Sequence, residues 1–258
     1  MKHLCLFIMI ITAWLSCSHI DEDSRLIEVP HAKISRAVLV EEFTGQRCVN
    51  CPNAATEIER LQEEYGKESV IAVAIHSGPL AIYSTDKVLG LRTTIGDEYY
   101  DYWRVEAEPS GLINRSGGVL LLDKWATRVY QDMQNEAPVE LAAKAKIADN
   151  GLIEIGIEFL SVKDFSGKLQ VWIIEDGIVA LQMLPDGTLN REYVHNHVFR
   201  STVNGAWGDD VVWPSGKQGI LSFSAEVQVD WNPKNLSVVA FVYNEGGVQQ
   251  VCQNPVVY

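Results

Sequence analysis

The stretch Arg36–Gly66, RAVLVEEFTGQRCVNCPNAATEIERLQEEYG, decides the fold that we predict for the first part of this chain. Residues 36–43 are mostly apolar and β-branched, which is typical of a short strand. A helix is predicted to follow, with Asn50 as its N-cap and Pro52 in its first turn, where a missing N–H costs nothing. Apolar residues then recur at helical spacing as far as Gly66, a frequent C-terminal stop. The segment therefore predicts a strand, a loop and a helix.

Cys48 and Cys51 lie between the predicted strand and the predicted helix. Unpaired N–H groups and the helix dipole stabilise a thiolate at a helix N-terminus, and Arg47 adds a neighbouring cation. Thiol–disulfide exchange needs one exposed thiolate that attacks and a second thiol that resolves the mixed disulfide. We therefore predict that Cys48 is the nucleophile and the more exposed cysteine, and that Cys51 is the resolving cysteine.

The N-terminus predicts export. Residues 4–15 form an apolar run without a charge, too short to span a membrane comfortably but suited to a signal peptide. The run ends in Leu15-Ser16-Cys17, which resembles a bacterial lipoprotein signal in which Cys17 is lipidated. We predict a signal peptide over residues 1–16 and a lipidated tether over residues 17–35. A plain signal peptide with an incidental Cys17 is the alternative.

Composition narrows the class of protein. The 258 residues are 47% hydrophobic and 21% charged, an ordinary globular balance that argues against wholesale disorder. The formal net charge is −13, so we predict no nucleic-acid partner, because a phosphate backbone requires a basic surface.

The cysteine pair has two other interpretations. It could be half of a structural zinc site, but such a site needs two more ligands at suitable spacing, and only Cys252 and scattered histidines remain. His195 and His197 would share one face of a strand and lack an obvious third ligand. We therefore predict no metal and no cofactor. The pair could also be an inert disulfide, although an exported chain stapled by disulfides usually has several matched cysteines.

The residues after the first helix extend the pattern to residue 135. The almost wholly apolar run 69–75 predicts a strand buried on both faces. Residues 84–105 keep helical spacing only in part and are rich in aromatic side chains. Residues 112–115 and 119–122 predict a hairpin, and Asp123 is predicted to cap a last helix that ends near residue 135.

Residues 136–258 differ in character from the residues before them. Turn signals such as Asp149-Asn150-Gly151 separate short segments that alternate or are apolar at a period of two, without a helical pattern. We therefore predict an α/β domain over residues 36–135, followed by an all-β, sandwich-like domain over residues 136–258.

Residues 36–66 resemble the thioredoxin superfamily: an apolar strand, an acidic residue before Phe43, a short loop, and Cys-x-x-Cys opening a helix. The order of elements over residues 36–135 fits the thioredoxin fold. The resemblance implies that Glu42 moves protons to and from the resolving cysteine, although Glu41 competes for this role. It also implies a cis-proline beside the cysteines, and Pro109 stands at the matching place before a strand.

The sequence departs from the superfamily pattern at three positions. Arg47 stands where a tryptophan often precedes the first cysteine. Glu108, before the proline, replaces a small or β-branched residue, and Pro52 follows the pair instead of lying within it. The redox potential and the substrate of thioredoxin relatives therefore do not carry over.

The whole chain also resembles the exported family usually called outer membrane protein 28, known from Bacteroides-type bacteria, which implies an outer-membrane location. We predict a thiol–disulfide oxidoreductase of the cell envelope that acts on protein thiols or disulfides and is held at the membrane by its N-terminal lipid. The alternative is a non-catalytic surface lipoprotein, whose β domain binds protein or glycan and whose Cys48–Cys51 pair is a structural disulfide.

Overall fold

The computed structural model describes residues 33–257. The predicted signal peptide, Cys17 and nearly all of the predicted tether lie outside the described residues. Within residues 33–257, no helix is long and apolar enough to cross a membrane. The first part of the fold contains β1 (Val38–Thr44), α1 (Cys51–Tyr65), β2 (Val70–His76), α2 (Thr94–Tyr102), β3 (Ser110–Ile113), β4 (Leu120–Leu121) and α3 (Trp125–Met133).

The first part is an α/β unit built on four strands. β1 and β2 are parallel, β3 is antiparallel to β1, and β4 is antiparallel to β3, which gives the order β2-β1-β3-β4. One face of this sheet is covered by α1 and α3, whose apolar residues pack against alternate residues of β1 and β2. Both strands are buried along their whole length, as the apolar runs in the sequence predict.

The end of α1 agrees with the prediction, whereas the predicted capping at its start does not. Gly66 is the C-cap and Pro52 lies in the first turn, as predicted. The prediction that Asn50 caps the helix through its side chain is wrong. Asn50 has helical backbone angles, φ −94° and ψ −10°, and its side chain makes no capping hydrogen bond. A capping side chain usually needs an extended backbone at that position.

The last helix of the first part also starts later than predicted. Asp123 lies inside a 3-10 turn, Leu122–Lys124, and does not cap the helix that begins at Trp125. The extra turn places the buried Trp125 ring against the sheet, where its indole N–H donates to the carbonyl of Leu120 at 3.1 Å.

Beyond residue 136 the described chain contains strands and one short 3-10 turn, without an α-helix. The strands are β5 (Val139–Ile147), β6 (Leu152–Ser161), β7 (Phe165–Glu175), β8 (Ile178–Met183), β9 (Leu189–His195), β10 (Val198–Thr202), β11 (Asp209–Trp213), β12 (Gln218–Glu226), β13 (Leu236–Asn244) and β14 (Gly247–Val257).

The strands of the second part share one large apolar core. β5 and β6 contribute alternate residues to it from one side, and β7 and β13 from the other. This arrangement is the one expected of a sandwich, because each strand buries one face at a period of two. The opposite faces of β7 and β13 join a second core with β1 and β2.

Strands from both parts belong to one 12-stranded sheet. The connection runs through β10, which pairs parallel with β2 at Val198 and Ala74 and antiparallel with β7. The division at residue 136 therefore remains a prediction about folding units, since the described chain joins the two parts through backbone pairing.

β8 and β9 form a separate antiparallel hairpin, joined by the turn around Gly187. This hairpin, residues 178–195, comes from the second part of the chain but packs on the loops of the first part. It is the element that positions and covers the cysteine pair.

Candidate functional site

Cys48 and Cys51 are joined by a disulfide, with their Cα atoms 5.4 Å apart. The pair lies where the chain leaves β1 and enters α1. The loop is held by backbone hydrogen bonds, from the Cys48 N–H to the Gly45 carbonyl and from the Arg47 N–H to the Leu80 carbonyl, each 2.9 Å. The strand–loop–helix segment of the sequence therefore does place the two sulfur atoms together.

The prediction that Cys48 is the more exposed cysteine is wrong for this oxidised form. Cys48 is 2% exposed and Cys51 is 3% exposed. The hairpin 178–195 lies against the loop of the pair: the Gln182 side-chain amide donates to the Cys48 carbonyl at 2.9 Å, and the Met183 N–H donates to the Gln46 carbonyl at 2.9 Å. Both cysteines are therefore enclosed in this oxidised form, and the hairpin is hydrogen-bonded to the loop that carries Cys48.

Gln46 holds the same loop to two other segments. Its buried amide group donates to the carbonyls of Leu89 and Leu181 and accepts from the Leu91 N–H at 3.0 Å. Sequence reasoning missed Gln46 and Gln182, because an isolated glutamine in a loop or strand carries no signal of long-range contact.

Glu42 faces the cysteine side of the sheet. It is 3% exposed and, with Cys51, His76, Gln182 and other residues, lines a cavity of about 50 Å³, which is large enough for a water molecule. Burial raises the pKa of its carboxyl from 4.5 to about 7, and the charge of Glu108 acts in the same direction. A group with this pKa can hold or release a proton at neutral pH.

Glu41 does not compete with Glu42. Neighbouring strand residues point to opposite faces, and Glu41 lies on the far face, where it accepts two hydrogen bonds from the Arg115 Nε and one from its Nη2 at 2.8–3.1 Å. Both side chains of this ion pair are buried. The structure therefore leaves Glu42 as the acidic residue of β1 beside the cysteines.

Glu108 approaches the disulfide from the loop before β3. One of its carboxylate oxygens and the two sulfur atoms all lie within 4.8 Å of one another. Neither carboxylate oxygen has a hydrogen-bond partner, and burial raises the pKa of the group to about 7. The three side chains could approach a metal ion only after reduction, since the sulfur atoms are bonded to each other here. The following peptide bond, Glu108–Pro109, is cis.

The histidines lie differently from the sequence prediction. His195 is the last residue of β9, whereas His197 lies in the turn after it with a φ of +57°, so the two do not share a strand face. His195 packs edge-on against buried His76, with ring centroids 5.2 Å apart. Burial lowers the pKa of His195 to about 4 and lowers that of His76 as well, so both rings are neutral at pH 7.

The raised pKa of Glu42 predicts how stability depends on pH. The folded protein holds this proton up to about pH 7, and the unfolded chain releases it near 4.5, so the Glu42 contribution is full below 4.5 and is lost as pH rises through 7. We expect Glu42→Gln to remove on the order of 3 kcal/mol of the stability difference between pH 4.5 and 8. Urea unfolding at both pH values measures this difference.

Glu63→Gln is the matched control for that experiment, because Glu63 is exposed on α1. It should leave the pH dependence as it is in the wild-type protein. A Glu42→Gln profile that keeps the wild-type slope would show that Glu42 ionises in the folded state as it does in the unfolded chain.

Comparison with known proteins identifies the family. The family model described as outer membrane protein Omp28 matches residues 96–257, which is more than half of the chain. The chain belongs to the Omp28 family. The matched region contains Glu108, Pro109 and the hairpin 178–195, and it begins after the cysteine pair. The protein is therefore located in the cell envelope, as the sequence predicts.

Two solved structures are similar to this Omp28-family chain. The first, HBP35 of Porphyromonas gingivalis, has 16% sequence identity and a TM-score of 0.66 over 86% of this chain and 76% of that chain. The second is a domain of the outer membrane lipoprotein Omp28 from Porphyromonas gingivalis, with 22% identity and a TM-score of 0.34 over 47% of this chain and 89% of that chain. The chain has no match among curated protein sequences. The likeness to HBP35 shows a shared fold.

Proposed function

We propose that this Omp28-family protein is a thiol–disulfide oxidoreductase of the cell envelope, which exchanges its Cys48–Cys51 disulfide with thiols or disulfides of other proteins. The observation that carries the proposal is the environment of the pair. Two carboxyl groups lie beside it: Glu42 shares a cavity with Cys51, and Glu108 lies within 4.8 Å of both sulfur atoms. Both have a pKa of about 7. Perturbed titratable groups beside a reactive pair are typical of a site that moves protons.

The first part of the fold supports the proposal. The strand order β2-β1-β3-β4, the two helices on one face and a cis-proline before β3 fit a thioredoxin-like domain. In such a domain the loop from the first strand to the first helix carries the reactive cysteines, and this loop holds Cys48 and Cys51 here. We therefore propose a thioredoxin-like fold for residues 36–135.

Reduction of a substrate by the dithiol form proceeds in two balanced steps. The Cys48 thiolate attacks one substrate sulfur, so the Cys48–substrate bond forms and the substrate disulfide breaks, releasing one substrate thiolate that takes a proton. The Cys51 thiol then loses its proton to Glu42, through water in the cavity they share, and attacks Cys48. The second substrate sulfur leaves as a thiolate and takes up the proton that Glu42 had accepted, and the Cys48–Cys51 disulfide forms again. Oxidation of a substrate dithiol is the reverse sequence.

In this proposal the hairpin 178–195 opens to admit a substrate in either direction. Gln182→Ala removes the hydrogen bond from the hairpin to the Cys48 carbonyl, and one such bond contributes about 1 kcal/mol. We expect reduction of the pair by dithiothreitol to accelerate roughly fivefold, because 1.4 kcal/mol corresponds to about a factor of ten. Alkylation of the free thiols at timed intervals, followed by mass spectrometry, measures this rate.

Gln228→Ala is the control for that rate, since Gln228 is exposed in a loop of the second part. Equal reduction rates for the Gln182 and Gln228 variants would mean that the hairpin does not limit access to the disulfide.

Equilibration with glutathione tests the proposed function. The purified protein is incubated in mixtures of reduced and oxidised glutathione, the thiols are alkylated, and the fraction of reduced Cys48–Cys51 is determined. We expect a reversible two-electron transition within the range of these buffers. A pair that stays fully oxidised throughout, and that strong reductants open only after the protein unfolds, would rule out the proposal.

The burial of both cysteines favours a second candidate function. In this alternative the disulfide is structural, and the protein is a non-catalytic surface lipoprotein whose β-rich part binds a protein or a glycan. The glutathione experiment separates the two candidates, because a structural disulfide under a closed hairpin does not equilibrate.

Membrane attachment through Cys17 and the absence of a nucleic-acid partner rest on the sequence. The lipoprotein signal supports the first, and the net charge of −13 supports the second.

A further inference from the structure

Glu108 is the feature of the site that the two-step exchange leaves unexplained. Its carboxylate oxygens are buried without a hydrogen-bond partner, and one of them lies within 4.8 Å of both sulfur atoms. A buried polar group without a partner is rare and calls for an explanation, such as a redox or catalytic role. Arg92, the cation whose charge acts on the Glu108 carboxyl, forms an ion pair with Asp97 at 2.9 Å.

We infer that Glu108 makes the Cys48–Cys51 pair a reductant, because its carboxylate disfavours a thiolate on the adjacent sulfur atoms and thereby favours the disulfide. The inference rests on the proposed function and adds the direction of the exchange. A disulfide is neutral and is not repelled by the carboxylate. A thiolate formed on reduction is negative, so the same carboxylate repels it and shifts the equilibrium toward the oxidised protein.

The electrostatic surroundings of Glu108 do not cancel this effect. Glu42 is a second acidic group, and its interaction with Glu108 raises the pKa of Glu42. Arg92 lowers the pKa of Glu108 less than burial raises it. Tyr100, which packs on the same loop, is neutral at pH 7, and the side chain of Arg47 is exposed next to Cys48. Among the described residues, Glu42 and Glu108 therefore act toward the disulfide, whereas Arg47 and the N-terminus of α1 act toward the thiolate of Cys48, so replacement of Glu108 alone measures the share of its carboxylate.

The effect depends on pH in a defined direction. Burial holds the pKa of Glu108 at about 7, so the carboxylate is charged at pH 8 and largely protonated at pH 5. The protonated group does not repel a thiolate and can donate a hydrogen bond to it. The preference for the disulfide is therefore strong at pH 8 and weak at pH 5.

Glu108→Gln in the full-length protein tests the inference, with Glu106→Gln as control, because Glu106 is exposed on the same loop and its replacement changes the net charge equally. The equilibrium constant with glutathione is measured at pH 5 and pH 8. We expect Glu108→Gln to favour the reduced protein roughly tenfold at pH 8, the equivalent of about one pKa unit, and to differ little from wild type at pH 5. Glu106→Gln should match wild type at both pH values.

The outcomes separate this inference from the proposed function. If the wild-type pair stays oxidised in every glutathione mixture and strong reductants open it only after the protein unfolds, the proposed function fails and the inference with it. If the wild-type pair equilibrates and Glu108→Gln either matches Glu106→Gln or favours the oxidised protein, only the inference is overturned. If Glu108→Gln does not fold, Glu108→Asp is measured. Its carboxylate lies one methylene farther back, so a smaller shift in the same direction supports the inference and an unchanged constant at pH 8 overturns it.

Discussion

Cys48→Ser is expected to abolish disulfide reduction by this Omp28-family protein. A serine hydroxyl ionises too weakly to attack a disulfide, and Cys51, on the first turn of α1, is left without the second thiol that completes the exchange. With insulin as the substrate and dithiothreitol as the electron source, we expect the catalysed rate to fall by roughly a hundredfold or more, to the rate of dithiothreitol alone.

Cys252→Ser is the matched control for that loss. Cys252 is the remaining cysteine of the described chain outside the disulfide, and burial raises the pKa of its thiol to about 12, so it is unreactive at neutral pH. This variant should keep the wild-type rate. Insulin reduction that persists in Cys48→Ser would assign the activity to another group.

Arg115→Ala is expected to have the largest effect on stability. The Arg115 guanidinium forms the buried ion pair with Glu41, and it also lies 4.8 Å from the ring centroids of Phe241 and Tyr243. Removing the cation leaves the fully buried Glu41 carboxylate without a counterion, which costs about 3–5 kcal/mol. The free energy of unfolding in urea at pH 7 measures the loss.

Two further variants show whether the loss of stability in Arg115→Ala comes from the unpaired charge. Arg115→Met combined with Glu41→Leu removes both charges and should recover most of the lost stability, because the penalty belongs to the unpaired charge. Lys168→Ala, which breaks the exposed ion pair with Asp210, should cost less than about 1 kcal/mol. A double variant as unstable as Arg115→Ala would mean that the packing of the aliphatic stem of Arg115, and not its charge, is what the fold requires.

The local elements of the first part could be predicted from sequence to within a few residues. β1, α1 and β2 lie close to their predicted positions because each depends on periodicity that is visible within a short window. The antiparallel pairing of β4 with β3 also agrees with the predicted hairpin. The long second part was predictable as strands, whereas the link through β10 and β2 was not, since a single residue pair carries it.

The candidate site was predictable only where sequence neighbours form it. Cys48 and Cys51 lie together because the chain places them in one loop. The Cys48 carbonyl accepts a hydrogen bond from Gln182, which is 134 residues away in the chain, and the sequence gives no indication of that contact. Likewise, strand alternation places Glu41 and Glu42 on opposite faces, but which face carries the cysteines depends on where α1 packs.

The position of Glu108 beside the disulfide could not be predicted from the sequence either. In the sequence it is only a departure from the pattern of the thioredoxin superfamily. In the structure one of its carboxylate oxygens lies within 4.8 Å of both sulfur atoms, a proximity between two loops that are far apart in the sequence.

Trapping of a mixed disulfide tests the redox role of the pair most directly. In Cys51→Ser, no second thiol can resolve a mixed disulfide formed at Cys48, so incubation with a disulfide-containing protein should accumulate a covalent adduct. Peptide mapping should locate the adduct at Cys48, and dithiothreitol should release it. The Cys48→Ser/Cys51→Ser double variant should form none. If Cys51→Ser also forms no adduct, or forms one at Cys252 alone, Cys48 is not a redox nucleophile and the disulfide is structural.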